Sequence, residues 1–115
     1  MAKINIIKSS NKFSSIIKNG YGLNSPFFIF YFKKDDIPAE FGVCVGKKLG
    51  CAVIRNRAKR RIRELIRFFN SQFEFTGSLV IIARKQTITA NFDLLKKSFF
   101  EMSCKLGIIK YSQTI

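Results

Sequence analysis

The sequence has no histidine, only 7 acidic side chains and only 3 cysteines among its 115 residues. Each shortage removes a class of chemistry. Without imidazole there is no Ser-His-Asp or Cys-His relay, and zinc loses its commonest ligand. The cysteines, Cys44, Cys51 and Cys104, are odd in number and form no Cys-x-x-Cys pair, so neither a disulfide framework nor a zinc cage is indicated. They read as reduced thiols. The carboxylates are scattered, with no paired spacing suited to a metal. Long apolar runs are missing too. Nothing approaches the roughly 20 residues of a membrane helix, and Met1 to Lys8 lacks the apolar stretch and cleavage site of a signal peptide. The sequence therefore reads as one cytoplasmic domain over residues 1–115, with no catalytic residue and no metal ligand of its own.

What is present is positive charge. Lys and Arg number 21, giving a formal net charge of +14, while 47% hydrophobic residues still provide for a core. A field of that size on a small domain calls for a polyanionic partner, nucleic acid first.

Periodicity supplies the elements. Phe13, Ile16 and Ile17 share one helical face, predicting a helix over 9–18 capped by Ser9 or Ser10 and stopped at Gly20. A short extended piece over 21–24 follows. Phe27 to Phe32 is a run of large β-favouring residues, and residues 33–38 read as a turn. Phe41, Val43 and Val45 then alternate with Gly42, Cys44 and Gly46, so this strand has a bulky face for a core and a small face open to close approach. The strongest helix runs over 52–69, with Ile54, Ala58, Ile62, Leu65 and Phe69 within about 80° of arc as its buried stripe. An apolar strand after Gly77 suits a central or parallel position, and Asn91 caps a last helix reaching Leu106. The order α-β-β-β-α-β-α predicts an α+β fold, a mixed sheet layered with helices.

The span from Lys47 to Arg67 carries nine basic side chains: Lys47, Lys48, Arg55, Arg57, Lys59, Arg60, Arg61, Arg63 and Arg67, opposed only by Glu64. Asn56, Arg60, Arg63 and Arg67 fall opposite the buried stripe within about 60°. Like charges one turn apart cost stability unless an anion arrives. Six of the seven arginines lie here, and the planar guanidinium suits bidentate phosphate contacts. A solvated basic face and a membrane-surface helix are the competing readings. The absence of zinc-finger spacing, heptad zipper or helix-turn-helix pair turns the nucleic-acid reading away from DNA. The supply of 13 Phe and 3 Tyr turns it toward RNA, whose unpaired bases stack on aromatic platforms.

The stretch Lys47-Lys48-Leu49-Gly50-Cys51-Ala52-Val53-Ile54-Arg55-Asn56-Arg57-Ala58-Lys59-Arg60-Arg61-Ile62-Arg63 resembles the bacterial ribonuclease P protein family. That family's signature is Lys-Lys-x-Gly-x-Ala-Val-x-Arg-Asn-Arg-x-Lys-Arg-x-x-Arg. Phe13, Gly20, Phe28, Tyr31 and the Ile81-Ile82-Ala83-Arg84 strand extend the likeness over about residues 9–106. The resemblance implies the protein subunit of a ribonucleoprotein endonuclease that removes the 5′ leader of precursor tRNA. Its RNA subunit would hold the catalytic Mg²⁺, and the protein would carry no cofactor. The fold it implies is a two-layer α/β sandwich with a left-handed βαβ crossover. Carried over by position, Arg55, Asn56, Arg57, Lys59, Arg60 and Arg63 would contact the RNA subunit and the leader, within a basic face completed by Lys47, Lys48 and Arg67. Phe13, Ile17 and Tyr31 would line a cleft for single-stranded leader, although plain core packing is the competing role for Phe13 and Tyr31. The implied partners are ribonuclease P RNA and precursor tRNA, with no DNA and no membrane. A ribosomal or ribosome-assembly protein is the rival function. The chain departs from the family pattern at Glu40, where an Arg is usual, at Cys44 and Gly46, and at Ile17, where an aromatic is usual. Its N-terminal arm is also less basic, with Lys3 and Lys8 alone.

Overall fold

In the computed structural model, residues 5–7 and 9–109 are described; Lys3 and Lys8 of the basic arm lie outside them. The elements are α1 (Ser10–Asn19), β1 (Tyr21–Asn24), β2 (Phe28–Pro38), β3 (Glu40–Cys44), α2 (Ala52–Phe68), β4 (Thr76–Ala83), α3 (Lys85–Thr89) and α4 (Phe92–Leu106), with single 3-10 turns at Lys47–Leu49 and Asn70–Gln72. The sheet order is β1-β2-β4-β3. The first three of these strands pair antiparallel, and β3 runs parallel to β4 with α2 as the crossover between them. A mixed sheet results, as the element order predicts. The interior place of β4 explains its unbroken apolar run, since both of its faces are covered.

One face of the sheet carries the main core. Phe28, Phe30, Leu79, Ile81 and Phe41 pack with Ala58, Ile62, Leu65 and Ile66 of α2 and with Leu95, Phe99 and Met102 of α4. Phe99 is the hub. Its ring stands 5.3 Å from Phe30 edge-on and 5.5 Å from Phe69 in a stack, and truncating such a buried aromatic costs about 3–5 kcal/mol. The opposite face carries α1 alone, over a small cluster of Ile7, Ile16 and Val80. Ser9 caps α1 by accepting from the Lys12 N–H at 3.4 Å, and the helix ends where the Gly20 N–H donates to the Ile16 carbonyl at 2.7 Å. Residues 5–7 run along the outer side of β3, with the Ile7 N–H donating to the Phe41 carbonyl and the Phe41 N–H to the Asn5 carbonyl. The free edge of β3 is thereby covered.

Four expectations change. Residues 33–38 are strand rather than turn: β2 continues through a bulge between Lys34 and Pro38, and the reversal falls at Ala39. Charged side chains at the end of a strand project into water, so a Lys-Lys-Asp-Asp run there costs the sheet nothing. Ile54 is not in the buried stripe; it is 37% exposed, and Ile66 takes a place in the core instead. The Ile54 side chain folds back against Gly50 at the entry to the helix. The phenylalanines, whose number suggests a supply of platforms for RNA bases, serve mainly the core. Phe28, Phe30, Phe41, Phe69 and Phe99 are buried, and Phe32, Phe73, Phe75 and Phe100 pack against them. Finally, α3 was not foreseen. It rests on Thr87, fully buried, whose hydroxyl accepts from the Arg84 N–H at 3.0 Å and donates to the Phe27 carbonyl at 2.5 Å.

Candidate nucleic-acid interface

The basic face begins where β3 ends. Lys47 and Lys48 sit exposed on the 3-10 turn that leads from the sheet into α2. Gly50 follows with φ 140°, a conformation that L side chains rarely adopt, and lets the chain enter the helix at that point. Along α2, Asn56, Arg57, Arg60, Arg63 and Arg67 are exposed, and Arg55 and Lys59 are half-buried. The helix directs them outward because Ala58, Ile62, Leu65 and Ile66 commit the other side to the core. Among the described residues no carboxylate lies within ion-pair distance of any α2 arginine or of Lys59. The Nε of Arg55 is enclosed and has no hydrogen-bond partner among them. The face is thus a row of cations with no partner carboxylate among the described residues.

Arg61 differs from its neighbours. Its guanidinium donates to the carbonyls of Thr87 at 2.9 Å and Ile88 at 2.7 Å and lies 5.7 Å from the centre of the Phe92 ring. Partial burial, and then the charge of Arg57, lower its pKa from the ordinary arginine value. It ties α2 to α3. At the other end of the helix, the exposed Cys51 precedes the first turn without a side-chain cap, and backbone N–H groups of Ile54 and Val53 hold its thiol below the ordinary cysteine range.

The second surface lies on the α1 face of the sheet. Phe13, Ile17 and Tyr31 are half-buried and share a cluster with Val80, Cys44 and Ile82, so the structure brings the three predicted residues together. Sequence reading placed Cys44 on the small face of its strand but missed Val80 and Ile82, whose alternation on β4 is the signal that would have found them. The small face of β3 does not lie open along its length. Over Gly42 it is filled by Phe13, and only Gly46 has free space around it. Phe27, from the same aromatic run as Tyr31, packs against the main core.

Comparison with known proteins identifies the family. The family model "Ribonuclease P" matches residues 1–107. The chain is 43% identical over 94 residues to the ribonuclease P protein component of Mesoplasma florum, covering 80% of this chain and 86% of that one. It is 31% identical over 117 residues to that of Bacillus cereus strain AH820, covering 100% and 98%. Among solved structures, the Staphylococcus aureus RNase P protein superposes with a TM-score of 0.81 at 27% identity, covering 93% of this chain and 99% of that one. The Thermotoga maritima RNase P protein shares the fold, with a TM-score of 0.76 at 23% identity over 96% and 99%. Among the described residues no group of three or more His, Cys, Asp or Glu could hold a metal ion, and no helix is long and apolar enough to cross a membrane. The chain belongs to the ribonuclease P protein family, the protein component of an RNA-based endoribonuclease.

Proposed function

We propose that the two surfaces divide the work of the holoenzyme. Lys47, Lys48, Arg55, Asn56, Arg57, Lys59, Arg60, Arg63 and Arg67 grip the ribonuclease P RNA. The cleft of Phe13, Ile17 and Tyr31 takes the single-stranded 5′ leader of precursor tRNA. The observation that carries this reading is the row of α2 cations with no carboxylate in reach, on the side of the sheet away from a half-buried apolar cleft. Phosphate contacts position an RNA, and apolar side chains hold unpaired nucleotides. The sequence has no histidine for an acid–base relay, and the RNA subunit would supply the Mg²⁺ that activates water. The protein acts in the cytoplasm, raising affinity for precursor over mature tRNA.

The test is a pair of variants in the reconstituted holoenzyme. Tyr31→Ala lowers precursor affinity by about 1–3 kcal/mol per lost stacking contact and leaves mature tRNA and RNA-subunit binding unchanged. A stability loss of about 3–5 kcal/mol with unchanged precursor preference would instead make Tyr31 a core residue. Recovery of ribosomal RNA rather than ribonuclease P RNA with the protein from cells would remove the reading altogether.

A further inference from the structure

Helix α1 meets β3 at two points, and only one is apolar. Phe13 rests on Gly42. The residue before it, Lys12, places its ammonium 2.5 Å from Glu40 Oε2. The same oxygen accepts from the Ser78 hydroxyl at 2.7 Å. Glu40 opens β3 in register with Ser78 of β4, and Ser78 is only 3% exposed, so the carboxylate is held from beneath by the central strand. The Glu40 side chain is 16% exposed and that of Lys12 43%. Among the described residues this is the one ion pair that joins two elements; the other, Lys96 with Asp93, lies within α4.

The placement of the pair on α1 gives it a role. At about 100° per residue, Phe13 and Ile17 lie to one side of the buried Ile16, and Lys12 lies to the other. The pair therefore grips the helix from behind, away from the side chains that line the cleft. The apolar anchor of α1 is small, with Ile7, Ile16 and Val80 as its buried members. A helix of 10 residues does not hold its own position, so its tilt over the sheet depends on few contacts. Any change of tilt moves Phe13 and Ile17 together.

We propose that Lys12 and Glu40 are positioning residues: their ion pair, braced by Ser78, latches α1 to the sheet and sets the cleft for the leader without touching it. The latch rests on the leader reading of the cleft. Glu40 thus acts as a structural anion in a chain of net charge +14.

The test reconstitutes the holoenzyme with the wild-type chain, Lys12→Met, Glu40→Gln, the swap Lys12→Glu/Glu40→Lys, and Tyr31→Ala. The readouts are the ratio of precursor to mature tRNA affinity, RNA-subunit affinity and thermal unfolding. Each single latch variant lowers the ratio by roughly threefold to fivefold, the range open to a partly exposed ion pair. The swap restores the ratio, because the Ser78 hydroxyl can accept as well as donate. Glu40→Gln keeps the Ser78 hydrogen bond and the side-chain shape, so its loss of ratio reports the charge and not a failure to fold. Single variants that leave the ratio unchanged, or a swap no better than the weaker single, would overturn the latch. If Tyr31→Ala lowers the ratio while the latch variants do not, the latch alone falls. If none of them moves it, the cleft reading falls as well.

Discussion

The ring of Phe13 lies so close over Gly42 that a Cβ at position 42 would stand 2.6 Å from its Cε1 atom. Real Cβ atoms essentially never come that near, so a side chain at 42 must lift the ring or push the helix. Gly42→Ala is expected to destabilise the fold by about 1–3 kcal/mol, as overpacking does. It is also expected to weaken precursor preference, because Phe13 cannot stay seated. Chemical denaturation and leader-dependent binding on the same variant check both effects. An unchanged midpoint would mean that the ring moves away at no cost.

Adjacent arginines on α2 should behave in opposite ways. Arg60 is exposed with no carboxylate in reach, so Arg60→Ala changes stability by less than about 0.5 kcal/mol and weakens RNA-subunit binding by about 1–3 kcal/mol. Arg61 holds two backbone carbonyls of α3. Arg61→Ala leaves them without their donor and costs about 1–3 kcal/mol of stability, with a smaller effect on RNA. Thermal unfolding and RNA titration of the two variants, side by side, separate the roles.

Salt reports how many phosphates the α2 face neutralises. With six or more contacts, affinity for the RNA subunit falls with a log–log slope of roughly −4 or steeper. Removing Arg63 or Arg67 reduces the slope by about one. A slope near −1 would place the contact surface elsewhere.

Cys51 should alkylate ahead of Cys104. Cys51 is exposed, and the N–H groups of Ile54 and Val53 at the start of α2 favour its thiolate, so more of it is ionised at neutral pH than of an ordinary cysteine. Burial raises the pKa of Cys104 and keeps it protonated. Iodoacetamide at neutral pH therefore modifies Cys51 before Cys104, and mass spectrometry of partly reacted protein reads the order. Binding of the RNA subunit to α2 slows Cys51 in particular, because that residue stands between Lys48 and Arg55.

Most of the architecture was legible because it follows from period and punctuation. Ser9, Gly20, Asn91 and Gly107 bound their helices by backbone chemistry that is local in sequence. The chain's own signal for β4, an apolar run too short for a helix, places it between two other strands. What escaped was decided by contacts between distant residues. Arg61 sits beside Arg60 in sequence and carries the same charge, and only α3, reached 26 residues later, tells the two apart. α3 itself depends on a buried threonine, a residue with no helical preference of its own. Ile54 fits the apolar stripe by angle, yet it lies against Gly50 and is 37% exposed. The pairing of Lys12 with Glu40 spans two elements whose approach no periodicity encodes.

The interior position of β4 also orders events during synthesis. The ribosome completes α1 to β3, and then the whole basic helix, before it makes the strand that joins β2 to β3. Val80 and Ile82 of the cleft, and Ser78 under Glu40, all arrive on that strand. A nascent chain that has reached Phe68 therefore carries its cations but lacks the central strand that completes the cleft floor and the seat of α1. Long-range pairing of this kind is slow relative to helix formation. On the function proposed for the two surfaces, the chain would attract RNA before it can discriminate among RNAs.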